Sequence, residues 1–480
     1  MTDTATKHTM RRGMSRRIIT VVVSVLVTLS LCVGYVVADI TDVLPGVLTL
    51  QPVDELNIEA PSDALQPAVI AGQVEDKAID ASAAQAAIQS LLQASGVGSD
   101  VSVSISDASG SVVADHESGT PREPASTMKT LTSLAAASVL DMGSTLDTQS
   151  YLNQEQGQGA TVFLKGNGDM LLGSGASDIN HVNGRAGLGT LAENTAAALK
   201  QRGITTIKLS YDDSLFGDVR SPANIATNNP GNLYFTGVSS MAVDGGRQWT
   251  VAPSNPDTFD TYVELSTDTA KDAAATFATR LQEHGITVES ISAGTVPQGL
   301  SPLSSVSSAT LSEIMAFMLR HSDNTLAEEF GRLTALKLNE ANSPAGAVQA
   351  VSTELSALGI DINGLTMADC SGLSPGSSLT VNTLVQVQAY NLRASGAAAA
   401  AEGLSIPGLV GTASDRLADK DAAGLLRVKT GSLDEVTSMA GNVSRKNGGT
   451  LAFAVIVNNP EDLESAKTAI NEFMAGLAEL

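Results

Sequence analysis

Five cations, Lys7, Arg11, Arg12, Arg16 and Arg17, precede a stretch from Ile18 to Ala38 that carries no charge. At ~1.5 Å rise per residue, these 21 residues make a helix long enough to span a bilayer. A basic flank ahead of such a run holds its own side in the cytoplasm and sends the downstream chain outside. Val36-Val37-Ala38 offers small residues to a signal peptidase without forming an Ala-x-Ala site, and the run exceeds the usual signal-peptide core. The chain is therefore expected to be extracytoplasmic. It is either anchored to the cytoplasmic membrane through Ile18 to Ala38 or secreted.

The remainder has the makings of a globular body. Of 480 residues, 43% are hydrophobic and 16% charged, enough for two or three domains with aliphatic cores. A formal charge of −23 repels phosphate backbones, which argues against nucleic acid as a partner. Cys32 lies in the apolar run and Cys370 far downstream, so Cys370 reads as a small buried thiol and not half of a disulfide. The five histidines show no metal-ligand spacing, and neither a metal nor a cofactor is expected.

Along the chain, residues 1–38 form the tail and signal or anchor segment, and 39–80, with scattered prolines, a linker. Residues 81–143 read as the first part of a catalytic domain. They comprise a helix over Ala83 to Ala94, a hairpin of Val101 to Ser106 with Ser111 to His116, and a helix from near Ser126. Residues 144–300 change texture to short strands and helices and read as an inserted α+β module of one or two small domains. Lys165-Gly166-Asn167-Gly168-Asp169 within it is expected to be a hairpin turn. Residues 301–480 resume the catalytic domain. Thr310 and Glu313 form a capping box there, three strands lie between Leu425 and Val457, and a terminal helix comes last.

Three short motifs occur once each and in one order: Ser126-Thr127-Met128-Lys129, Ser322-Asp323-Asn324 and Lys429-Thr430-Gly431. By chance alone, Ser-x-x-Lys arises about once or twice in a chain this long, so the weight rests on the joint occurrence. Ser126 and Lys129 are three apart on one helix face. A serine needs a base to take its proton, and Lys129 serves if it is neutral, which burial and a second cation, Lys429, promote. Ser322 and Asn324 come just after a helix ending near Arg320. The Ser322 hydroxyl can relay a proton to a leaving amine, and Asn324 can hold a substrate amide. Lys429, Thr430 and Gly431 fall on a strand against whose edge an extended peptide can pair, with Lys429 and Thr430 receiving a terminal carboxylate. The backbone amides of Ser126 and Ser432 would form the oxyanion hole. His321 is expected to cap or face solvent, and Arg416 and Arg427 are candidate anion contacts weighed against surface or packing roles.

From about Ser102 to Phe473 the chain resembles the class C low-molecular-mass penicillin-binding proteins, the D-alanyl-D-alanine carboxypeptidase/endopeptidases. The resemblance rests on Pro124-Ala125-Ser126-Thr127-Met128-Lys129, Phe163 to Asp169, Tyr211 to Phe216, Ser322 to Glu328, Asp369-Cys370-Ser371-Gly372-Leu373-Ser374, Gly411-Thr412 with Arg416, and Val428 to Leu433. It rests also on the spacing, with 196 positions from Ser126 to Ser322 and 107 from there to Lys429, as in a family with extra domains inserted after the nucleophile's helix. The resemblance implies an α+β fold, a penicillin-recognising transpeptidase-like domain with a five-stranded antiparallel sheet flanked by helices. It implies hydrolysis of D-Ala-D-Ala termini or cross-links in peptidoglycan stem peptides at the cell wall, and acylation by β-lactams. The family usually has glycine where Cys370 stands and a basic residue where Pro375 stands. A β-lactamase is the rival enzyme, opposed by the long insertion and the lack of a Glu-x-x-Leu-Asn stretch. A catalytically silent, anchored wall-binding or penicillin-sensing protein is the rival of another class.

Overall fold

The computed structural model describes residues 5–41, 43, 77–154, 159–259, 261–393, 397–417 and 421–480. Most of the expected linker, 44–76, lies outside the described residues. Helix α1 (Ala5–Ile40) contains a segment, Thr20–Ile40, long and apolar enough to cross a membrane, with mean hydropathy 2.5. The body from Val74 to Leu480 is a separate unit.

The body begins with α2 (Ala81–Leu92), started by the Asp80 side chain, which accepts from Ser82 N and Ala83 N. The hairpin β1 (Val101–Asp107) and β2 (Val112–His116) comes next, then helix α3 (Met128–Val139). A second sheet is then laid down by β3 (Thr145–Asn153), β4 (Thr161–Gly166), β6 (Thr206–Asp212), β8 (Thr287–Ala293) and β9 (Pro302–Thr310). Between them lie β5 (Asp169–Leu172), α4 (Leu188–Gln201), β7 (Met241–Val243) and α5 (Thr269–Glu283). Helices α6 (Leu311–His321), α7 (Asn324–Leu338), α8 (Pro344–Ala357), α9 (Val381–Asn391) and α10 (Ala398–Glu402) lead to β10 (Leu426–Leu433), β11 (Val436–Ser444) and β12 (Thr450–Asn458), and α11 (Leu463–Leu477) closes the chain.

The first sheet runs β10-β11-β12-β1-β2, all antiparallel, so its halves come from the two ends of the body. Its central strand β12 shows why. Leu451, Phe453, Val455 and Val457 pack with Ile88, Leu91, Phe473 and Met474 of α2 and α11, whereas Ala454 and Ile456 pack with the cluster around α3, α6 and α9. A period of two with both faces apolar gives a strand covered by helices on either side.

The second sheet has the order β8-β6-β4-β3-β9. Its pairings β4·β6 and β6·β8 are parallel, and α4 and α5 fill its core with Leu191, Leu199, Phe277 and Leu281. The last strand, β9, lies beyond residue 300 and delivers the chain into α6, where Thr310 and Glu313 form the expected capping box.

One local expectation is corrected. Lys165 to Asp169 is not a hairpin turn, because β5 does not pair with β4. It pairs in parallel with β7, and Gly168 N donates to Ser240 O at 2.7 Å. All four residues of β5 are buried, and that burial, rather than turn chemistry, decides the strand's partner.

Candidate active site

Chain leaving β2 reaches Ala125, which adopts φ 48°, a left-handed conformation costly for a residue with a Cβ. The Pro124 carbonyl fixes this turn, accepting from Thr127 Oγ1 and from Ser438 Oγ of β11, each at 2.7 Å. A 3-10 turn over Ala125–Thr127 then opens α3. Ser126 is half-buried at the rim, while Lys129, one turn on, is wholly buried.

Lys129 Nζ meets three oxygens: Ser126 Oγ at 2.9 Å, Asn324 Oδ1 at 2.7 Å and the Ser371 carbonyl at 2.8 Å. Three acceptors suit an ammonium. Two N–H donors to Asn324 and Ser371, with a lone pair left for the Ser126 hydroxyl, suit the neutral amine equally.

The second motif sits between two helices. Ser322 ends α6 at φ 56°, and Asp323 starts α7 by accepting from Leu326 N at 3.0 Å. Asn324 is thereby the first residue of α7, its amide Nδ2 donating to the Tyr234 carbonyl at 2.8 Å. The third motif lies on β10, where Lys429 Nζ donates to Ser322 Oγ at 3.0 Å and to Thr430 O at 2.8 Å. Thr430 Oγ1 is 2.8 Å from Thr412 Oγ1. At Gly431 a Cβ would lie 2.8 Å from Pro124 O and 3.1 Å from Ser126 N. Only glycine lets β10 run this close to the nucleophile's turn.

Burial pushes the Lys129 amine down to about 8, against the opposing pull of Asp369, Asp323 and Glu328. Lys429 is driven well below the usual lysine range, first by burial and then by the neighbouring cations Lys129 and Arg416. Glu328 is raised well above the carboxylate range by its burial and by the neighbouring Asp369.

Ser126, Ser322, Asn324, Thr430 and Ser432 line one cleft of about 870 Å³, and the two lysines lie buried beside it. All eight sequence-selected residues thus converge, Gly431 through its close approach to the turn of Pro124 to Ser126. Of the two arginines, Arg416 lines the cleft and donates to Asn471 Oδ1 at 3.2 Å, whereas Arg427 is solvent-exposed and does not line it. His321 does not cap and is only half-buried. It stacks on Phe259, with centroids 4.5 Å apart, and its Nε2 lies 2.9 Å from Asp257 O. Cys370 is buried, as expected. Sequence reasoning missed the Ser371 carbonyl at Lys129 and the paired rings of Tyr234 and Tyr262 on the cleft wall. A carbonyl leaves no mark in residue type. Tyr234 and Tyr262 stand 28 positions apart, so no sequence pattern pairs them.

The same stretches of chain match known proteins. The sequence profile of the D-Ala-D-Ala carboxypeptidase 3 (S13) family matches residues 84–263 and 251–479. Carboxypeptidase DacB of Mycolicibacterium smegmatis is 34% identical over 371 residues, 74% of this chain and 75% of the relative. The crystal structure of penicillin binding protein 4 (dacB) from Haemophilus influenzae superposes with TM-score 0.65 at 20% identity, covering 83% of this chain and 98% of that one. The same protein complexed with a β-lactam gives TM-score 0.60 at 22% identity over the same shares. The expected fold is therefore present, an α+β penicillin-recognising domain whose antiparallel sheet is flanked by helices. With the family's profile spanning nearly the whole body, this chain belongs to the D-Ala-D-Ala carboxypeptidase 3 (S13) family and is a serine-type D-Ala-D-Ala carboxypeptidase.

Proposed function

We propose that Ser126 is the nucleophile and Lys129 its base. The observation that carries this reading is the 2.9 Å contact between Ser126 Oγ and the buried Nζ of Lys129. Neutral Lys129 takes the hydroxyl proton as Ser126 Oγ bonds to the carbonyl carbon of the penultimate D-alanine. The oxyanion faces the backbone amides of Ser126 and Ser432. On collapse the C–N bond breaks, and the leaving amine takes a proton from the Ser322 hydroxyl, which is replenished through Lys429 by the proton Lys129 took from Ser126, leaving Lys129 neutral. Water then attacks the ester carbonyl as neutral Lys129 takes its proton, and Lys129 returns that proton to Ser126 Oγ as the acyl–oxygen bond breaks.

Lys429, Thr430 and Arg416 at one end of the cleft receive the C-terminal carboxylate of the stem peptide, and Asn324 holds a substrate amide. A β-lactam carries a carboxylate and an acylating carbonyl, so the same groups hold it as a covalent inhibitor. The apolar run Ile18 to Ala38 either anchors the body at the cytoplasmic membrane or directs its secretion to the cell wall. Residues 144–300, with β9 completing their sheet, form a module inserted into the catalytic domain.

Fluorescent penicillin should label the wild-type chain stably, and Ser126→Ala should abolish labelling while leaving the melting temperature unchanged. Retained labelling in a folded Ser126→Ala chain would remove Ser126 as the nucleophile.

A further inference from the structure

Four of the five positions from His321 to Thr325 are tied to one stretch of chain between β6 and α5. His321 Nε2 lies 2.9 Å from Asp257 O, Arg247 Nη2 donates to Asp323 Oδ2 at 2.7 Å, Asn324 Nδ2 donates to Tyr234 O at 2.8 Å, and Thr236 N donates to Thr325 Oγ1 at 3.0 Å. The turn carrying the second motif is thus held from outside the sheet that carries the third. The geometry points to Arg247 as a positioning residue that clamps Asp323, and through it sets Asn324 against Lys129. The inference rests on the proposed role of Lys129 as base.

Arg247 has little freedom of its own. Its Cζ sits 4.3 Å over the Phe259 ring, and its Nη1 donates to the Asp244 carbonyl at 3.1 Å and Oδ1 at 3.3 Å. A Cβ at Gly245 would lie 2.6 Å from Nη1, so a side chain there would displace the guanidinium. Phe259 is held in turn, since its ring also stacks on His321, the residue before Ser322. A side chain 8% exposed is therefore fixed by an ion pair, a ring and its own backbone turn.

Asp323 divides its two oxygens. Oδ1 starts α7, and Oδ2 accepts from Arg247. Among the described residues, the titratable groups facing Lys129 are Asp323 and Glu328 from the α7 side, Asp369 from the loop that also supplies Ser371 O, and Lys429 from β10. Arg247 balances the Asp323 charge. Removing it frees a carboxylate that both swings the turn and holds the Lys129 proton more firmly.

The test is the pH dependence of acylation by penicillin in the full chain, for wild type, R247Q, R247K, D323N and R247Q/D323N. In R247Q the rising limb should move to higher pH and acylation at pH 7 should fall by roughly tenfold, the equivalent of one pK unit. R247K should keep both near wild type. D323N, which retains a capping side chain, should move the limb to lower pH, and the double variant should undo the upward shift of R247Q. A cooperatively melting R247Q with a wild-type limb overturns the role of Arg247. If R247Q does not fold, an unmoved limb in D323N overturns it instead. A flat wild-type profile would overturn Lys129 as base, and this inference with it.

Discussion

Lys129 is an amine enclosed by protein, and its chemistry stems from that burial. Its value of about 8, against 10.5 for a solvated lysine, has two consequences of definite sign. Acylation needs the neutral amine, so the second-order rate with penicillin should climb with pH and level off above about 8, and Lys129→Arg should abolish it at every pH. For stability, the unfolded chain binds more protons than the folded one between about pH 8 and 10.5, so unfolding free energy should rise across that window. Buffered melts would show this as a contribution of ~3 kcal/mol, complete above the unfolded value and absent from Lys129→Met. Ser322 gives a cleaner probe of a hydroxyl. At φ 56° glycine is the natural occupant, so Ser322→Gly should leave or raise the melting temperature while cutting peptide turnover by about 100-fold. A variant with wild-type turnover would remove the proton relay.

Among the elements, β10 matters because it must serve two neighbours. It pairs with β11 through the whole register from Leu426↔Val443 to Leu433↔Val436. Its other edge faces the cleft through Thr430 and Ser432. Gly431 stands where β10 meets the turn of Pro124 to Ser126, and Gly431→Ala would push a Cβ against Pro124 O and the Ser126 amide. The expected outcome is a loss of acylation of about 100-fold, together with a stability loss of ~1–3 kcal/mol, read from penicillin labelling and denaturant melts. Wild-type labelling in that variant would show that the nucleophile's amide need not lie against β10. Helix α3 is buried from Met128 to Ala136, so the polar Lys129, Thr130, Thr132 and Ser133 sit inside the protein. Thr132 and Ser133 are satisfied by Cys370 O and Lys129 O, each at 2.7 Å.

At the scale of the molecule, a cell-wall peptidase of this family acts outside the cytoplasm, and this one carries a strongly negative charge into that setting. The cations at its carboxylate end, Lys429 and Arg416, sit within a field of the opposite sign. Screening that field should help an anionic peptide approach. Raising ionic strength from about 0.01 M to 0.15 M shortens the Debye length from roughly 30 Å to 8 Å. Over that range kcat/KM for a peptide of net negative charge should rise several-fold with kcat unchanged, while a neutral analogue shows no salt response. A salt-insensitive kcat/KM for the anionic peptide would mean that local cations already dominate its approach.

Much of the architecture was legible along the chain because its signals are local. The period of two in Leu451 to Val457, the capping box of Thr310 and Glu313, and the three-residue step from Ser126 to Lys129 each depend on neighbours within a few positions. What only the tertiary structure decided is which distant groups meet. Turn chemistry at Asn167-Gly168 suggested a hairpin, yet burial sent β5 to β7. His321 looked like a surface or capping residue until Phe259, 62 positions earlier, came to lie against it. Ser371 O reaches Lys129, and Arg247 reaches Asp323, across separations that leave no periodicity to read. Residue type and spacing carry the chemistry a side chain can do. The shift that makes a lysine a base comes from desolvation and from charges brought close by folding, and those are properties of three-dimensional neighbours alone.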